Sequence, residues 1–111
     1  TLRGGATGIR DVAGNPLAAD AVWSFTTVPD TTAPTITTRS PAAGATGIAV
    51  GSNVTVTFSE AMDVASISTT TFELRSATGT LIVAPVTYSA TTRVATLNPN
   101  VDLAGGITYT A

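Results

Sequence analysis

Apolar and polar residues alternate in short runs along most of the chain. In Asn53-Val54-Thr55-Val56-Thr57-Phe58 the apolar Val54, Val56 and Phe58 fall on one side of an extended backbone, and Thr55 and Thr57 fall on the other. Successive side chains of a strand point to opposite faces, so this spacing predicts a half-buried antiparallel strand. The same pattern predicts strands at 35–40, 70–75, 81–89, 93–97 and 21–27. In the last of these, Val22, Ser24 and Thr26 oppose Trp23, Phe25 and Thr27.

Turn formers punctuate the runs: Pro41-Ala42-Ala43-Gly44, Ala77-Thr78-Gly79, Asn98-Pro99-Asn100 and Ala104-Gly105-Gly106. Short, evenly spaced strands between such turns predict an all-β sandwich. Pro85 interrupts 81–89, and because proline cannot donate to a ladder, that run reads as an edge strand or as two strands divided by a bulge. Alternation lapses at Ser59-Glu60-Ala61-Met62-Asp63-Val64-Ala65, where a serine precedes good helix formers. A single helical turn capped by Ser59 is expected there.

At 111 residues the chain has room for one core. Ala and Val supply most of its 43% hydrophobic content and aromatic residues only 5%, so that core should be small-grained and aliphatic. Neither low hydrophobicity nor high net charge marks it as disordered, and the abundant threonine reads as β-propensity. The net charge is −2 and the five basic residues, Arg3, Arg10, Arg39, Arg75 and Arg93, are scattered. Nucleic-acid binding, which needs clustered cations, is not expected. Without cysteine there are no disulfides, thiolate metal sites or thiol nucleophiles. No apolar run approaches the length of a membrane-spanning helix.

Catalysis has little to draw on. Histidine, cysteine and lysine are all absent, so no hydroxyl has a base beside it, and no catalytic residue is assigned. Calcium is the one cofactor that carboxylate and carbonyl oxygens admit comfortably. Asp11 and Asn15 in an Asp-x-x-Gly-Asn turn, and Glu60 with Asp63 three residues apart, are candidate ligands. The competing readings are an Asx turn for Asp11 to Asn15, with Gly14 at positive φ, and structural capping for Glu60 and Asp63. Trp23 is either a platform for a sugar ring or, sharing a face with Phe25, a core anchor. Tyr88 and Tyr109 read as core or corner aromatics. Asn53-Val54-Thr55 matches an N-glycosylation acceptor, a short pattern that also arises by chance.

Ala33-Pro34-Thr35-Ile36, Ser40-Pro41-Ala42-Ala43-Gly44-Ala45-Thr46-Gly47-Ile48, Val54-Thr55-Val56-Thr57-Phe58-Ser59-Glu60-Ala61-Met62-Asp63 and Thr71-Phe72-Glu73-Leu74 follow one another in an order that resembles the bacterial Ig-like domains repeated in surface, S-layer-associated and adhesin-like proteins. The resemblance continues through Val86-Thr87-Tyr88, Ala95-Thr96-Leu97-Asn98-Pro99, Leu103-Ala104-Gly105-Gly106 and Thr108-Tyr109-Thr110. It implies an immunoglobulin-like antiparallel β-sandwich of about seven strands, in a non-catalytic module of an extracellular, cell-surface or secreted fibre. It also implies that Asp30, in the linker sequence Asp-Thr-Thr-Ala-Pro, is a calcium-ligand candidate, against a bland reading as a solvated linker charge.

Such modules resemble the start of this chain at their own end. Gly4-Gly5, Asp11-Val12-Ala13-Gly14-Asn15-Pro16-Leu17 and Trp23-Ser24-Phe25-Thr26-Thr27 look like the pieces that follow the tyrosine strand, and Ala111 reads smoothly into Thr1. The expectation is one period of a tandem array. Residues 1–27 would complete a neighbouring unit through Leu2, Ile9, Val22, Trp23 and Phe25, residues 28–34 would be the linker, and 35–111 would open the next module. The connector reaches at most roughly 25 Å, short of the roughly 30 Å between the poles of a sandwich, which disfavours a circular permutant folding on itself. The partners expected are therefore copies of the chain, head to tail. The alternatives are an adhesive module taking a host or surface glycan, and an accessory domain of a secreted hydrolase.

Overall fold

Alternating residues form sheet only where a second extended segment can pair with them, and that condition separates the two parts of this chain. The computed structural model describes residues 1–111, which divide into two units, Thr1–Thr31 and Thr32–Ala111. All seven strands belong to the second: β1 (Ile36–Ser40), β2 (Val54–Phe58), β3 (Leu74–Ser76), β4 (Leu81–Ile82), β5 (Val86–Ser89), β6 (Val94–Leu97) and β7 (Tyr109–Thr110). They form two antiparallel sheets, one in the order β1-β2-β6-β5 and the other β4-β3-β7.

The sheets meet through the inward residues of their central strands. Ala95 and Leu97 of β6 are 0% and 1% exposed, Leu74 of β3 is 3%, and Ala84 between β4 and β5 is 8%. Val54, Phe72, Ile82, Val86, Leu103 and Tyr109 pack around them, half-buried. In β5 alternation survives as half-buried Val86 and Tyr88 against exposed Thr87 and Ser89. In β2 all residues are half-buried, because its ladders to β1 and β6 shelter the threonines as well. The Tyr88 ring meets Phe58 edge-on at 6.2 Å, a favoured geometry for aromatic pairs.

Tyrosine hydroxyls tie loops to this core. The Met62 N–H donates to the Tyr88 hydroxyl at 2.8 Å, and the Ala104 N–H donates to the Tyr109 hydroxyl at 2.9 Å. The second bond runs back five residues along the chain, the pattern of a tyrosine corner.

Several boundaries differ from the alternation pattern for physical reasons. The expected strand at 70–75 begins only at Leu74, because hydroxyls claim the backbone before it. Thr71 Oγ1 donates to the Ser66 carbonyl at 2.7 Å and accepts from the Ser68 N–H at 2.9 Å. Such local bonds compete with ladder pairing. The run 81–89 is two strands, β4 and β5, lying in different sheets with Pro85 between them. The helical turn is a 3-10 turn at Val64–Ser66 capped by Asp63, whose Oδ1 accepts from the Ala65 N–H at 3.0 Å, and is not capped by Ser59. Gly79 closes the β3–β4 hairpin with φ of 83°, a conformation that favours glycine.

The unit Thr1–Thr31 has no strand, and the expected strand at 21–27 does not form: Leu2 and Ala21 make an isolated bridge, and residues 22–27 pair with nothing. Extended backbone without a ladder partner gains no hydrogen bonds, so periodicity alone does not make a strand. The unit is held instead by backbone bonds such as Gly5 N–H to Leu17 O and Leu17 N–H to Ile9 O, both 2.8 Å. Asp20 Oδ1 accepts from the Gly4 N–H at 2.7 Å.

Because Leu97 is 1% exposed at the centre of a thin core, Leu97→Ala should destabilise the unit Thr32–Ala111 by about 2–5 kcal/mol. Tyr109→Phe, which removes only the acceptor for Ala104, should cost about 1 kcal/mol. Urea unfolding of both variants measures the two effects.

Candidate functional site

The polar candidates are divided between the two units. No three carboxylates lie close enough to hold a metal ion. Asp11, Asn15 and Asp30 belong to Thr1–Thr31, and Glu60 and Asp63 to Thr32–Ala111.

Asp11 and Asn15 bond to each other. Asp11 Oδ1 accepts from the Asn15 N–H at 2.8 Å, and Oδ2 accepts from Asn15 Nδ2 at 2.9 Å. The Asp11 N–H donates back to the Asn15 carbonyl at 2.9 Å, and Gly14 takes φ of 92°. This is the Asx-type turn, with both carboxylate oxygens engaged. The Asn15 side-chain bond, followed by its backbone N–H, stabilises the ionised carboxyl and holds the Asp11 pKa below its ordinary value of 3.8.

Asp63 serves the 3-10 turn as its cap. Glu60 Oε1 is buried and has no hydrogen-bond partner. The neighbouring Ser59 carbonyl accepts from the Arg93 guanidinium, and Arg93 itself has φ of 61° in the turn before β6. Arg93 is a structural residue that periodicity does not expose, since only the positive φ and the reach to Ser59 reveal it.

The apolar candidates form the more distinctive feature. Leu2 is 44% exposed, Ile9 52%, Val22 73%, Trp23 61% and Phe25 81%. No residue of Thr1–Thr31 is buried. Scattered exposed hydrophobics are ordinary, whereas a run of large exposed ones close together in sequence is less so. In the other unit, β4 has β3 as its one strand neighbour, so its second edge offers unpaired backbone groups. No helix is long and apolar enough to cross a membrane.

A family model described as a bacterial Ig-like domain matches residues 30–111. Comparison with curated proteins and with solved structures finds no match.

The Asp11 carboxyl should titrate below the ordinary aspartate range when followed by carbon-detected NMR, and Asn15→Ala should return it toward 3.8. The sign follows from the depressed folded-state value. Whatever the ionised Asp11 contributes to the turn is present above the unfolded-state pKa and is lost as pH falls through the lower, folded-state pKa.

Proposed function

Since residues 30–111 are most of its length, the chain belongs to the bacterial Ig-like domain family, and we propose that it is a structural repeat unit of an extracellular surface protein or filament. Its modules stand head to tail, each sandwich completed by residues from the adjacent unit. The observation that supports this most directly is the exposure of Val22, Trp23 and Phe25 at 73%, 61% and 81% in a chain whose sandwich buries only Leu74, Ala84, Ala95 and Leu97.

The surface area argues the same way. A folded monomer exposes about 6.3 M^0.73 Å² for a mass M in daltons. Dividing 11.1 kDa between the two units in proportion to their lengths, that relation allows roughly 6,700 Å² for two independent folded bodies. The chain exposes 8058 Å². Each large side chain moved from water into a neighbour's core contributes about 1.5–3 kcal/mol, so burial of Trp23 and Phe25, which share a face, favours association.

The role is passive and needs no nucleophile, base or cofactor. It asks for a rigid sandwich, a connector that keeps beads apart and a surface that stays soluble. Threonine-rich outer faces and the extended Val28-Pro29-Asp30-Thr31-Thr32-Ala33-Pro34 connector suit those demands.

The isolated chain should associate, with a sedimentation mass that rises above 11.1 kDa as concentration increases. Phe25→Asp should weaken that association at least tenfold, because it places a charge where a large apolar side chain is to be buried. A wild-type chain that stays monomeric at all concentrations overturns the head-to-tail reading.

A further inference from the structure

β4 is the outer strand of its sheet, with β3 on one side and no strand on the other. Alternation assigns its backbone groups to the two sides, since successive residues of an antiparallel strand direct their N–H and C=O to opposite neighbours. The Ser76 N–H donates to the Thr80 carbonyl at 2.9 Å, so Ser76, and Leu74 two residues before it, bond toward β4. Leu74 stands opposite Ile82, and Arg75 opposite Leu81. The N–H and C=O of Ile82 therefore face β3, and those of Leu81 face the open side.

The side chains divide between the two faces of the sheet. Ile82 packs against the core, whereas Leu81 is 45% and Val83 70% exposed. Natural sheet edges are commonly guarded by a charge, a proline or a bulge. From Thr80 to Val83 this edge carries neither charge nor proline. Glu73 and Arg75, on the β3 side of the hairpin, bond to each other at 2.7 Å, so they offset one another and do not repel an approaching copy.

We propose that β4 pairs with β4 of a second copy of the chain, antiparallel and about a two-fold axis at Leu81, joining two three-stranded sheets into one. A two-fold contact needs a surface complementary to itself, and this edge has one. At the axis each Leu81 donates its N–H to the other copy's Leu81 carbonyl and accepts in return, as in the closely bonded pair of an antiparallel ladder. On the outer face Leu81 meets its counterpart directly and the other copy's Val83 on the diagonal, within reach of apolar contact. A copy also closes two open edges with a single contact.

The contact is small. An ordinary specific interface buries about 800 Å² on each partner, more than an edge running only from Thr80 to Val83 supplies, so single copies pair weakly and reversibly. Strung modules multiply it, because once one pair forms its neighbours meet at a raised effective concentration. The pairing does not depend on the head-to-tail reading. Only its multiplication does, and the consequence there is side-by-side adhesion between neighbouring strings.

Amide NMR of the nitrogen-15-labelled Phe25→Asp chain, in which head-to-tail association is weakened, tests the pairing over a concentration series reaching the millimolar range. The Leu81 and Val83 signals should shift progressively with concentration, and those of β5, at an edge of the other sheet, should stay in place. Leu81→Pro should abolish the shift at Val83, because it removes only an outward N–H, at the kind of edge position where a strand tolerates proline. Val83→Lys, which adds a guarding charge and leaves the backbone intact, should abolish the shift at Leu81. Leu81 and Val83 signals that do not move with concentration overturn the proposal, and so do shifts that persist in both variants. Either result leaves the head-to-tail reading standing, since that is decided by sedimentation of the wild-type chain.

Discussion

Two β-sheets are held face to face only by the apolar residues caught between them, and in this chain that layer is thin. Leu74 and Leu97 are its large members, and Ala84 and Ala95 complete the buried set. Alanine brings the sheets close but withdraws little surface from water. Half-buried Val54, Ile82, Val86 and Tyr109 extend the layer without sealing it.

Polar bonds make up part of what the small core does not supply. The Tyr88 and Tyr109 hydroxyls each accept a backbone N–H from a connecting loop. Ser68, Thr70 and Thr71 weave the approach to β3 out of side-chain and backbone bonds. A threonine-rich composition thus has two uses: it favours extended backbone on the outer faces of strands, and it satisfies backbone groups where no ladder does. The single ion pair, Arg75 with Glu73 at 2.7 Å, is half-exposed and adds little by comparison.

Much of the architecture could be read from residue order. The Val54, Val56, Phe58 alternation marked β2, Pro85 marked the division between β4 and β5, and glycine-bearing turns marked the hairpins. What could not be read depends on partners distant in sequence. Residues 21–27 alternate as well as any strand, yet alternation says nothing about whether a ladder stands alongside. The shift of cap from Ser59 to Asp63 turns on one N–H, that of Ala65. Positive φ at Arg93 is set by the closing geometry between β5 and β6 and has no signature in an arginine. At the candidate site, the Asp11 to Asn15 turn was legible because its bonds are local, whereas the open side of β4 depends on the sheet order and is invisible along the chain.

The crossing of the chain between sheets at Pro85 has a mechanical counterpart. β1 bonds to β2 and β7 bonds to β3, and no ladder joins one sheet to the other. Tension that enters the sandwich through β1 and leaves through β7 cannot be borne by peptide hydrogen bonds loaded in shear across a shared interface. It passes in series through the ladder that holds β1 to β2, the side-chain layer or covalent crossovers between the sheets, and the ladder that holds β7 to β3, so the weakest of these three joints sets how far the domain can be stretched.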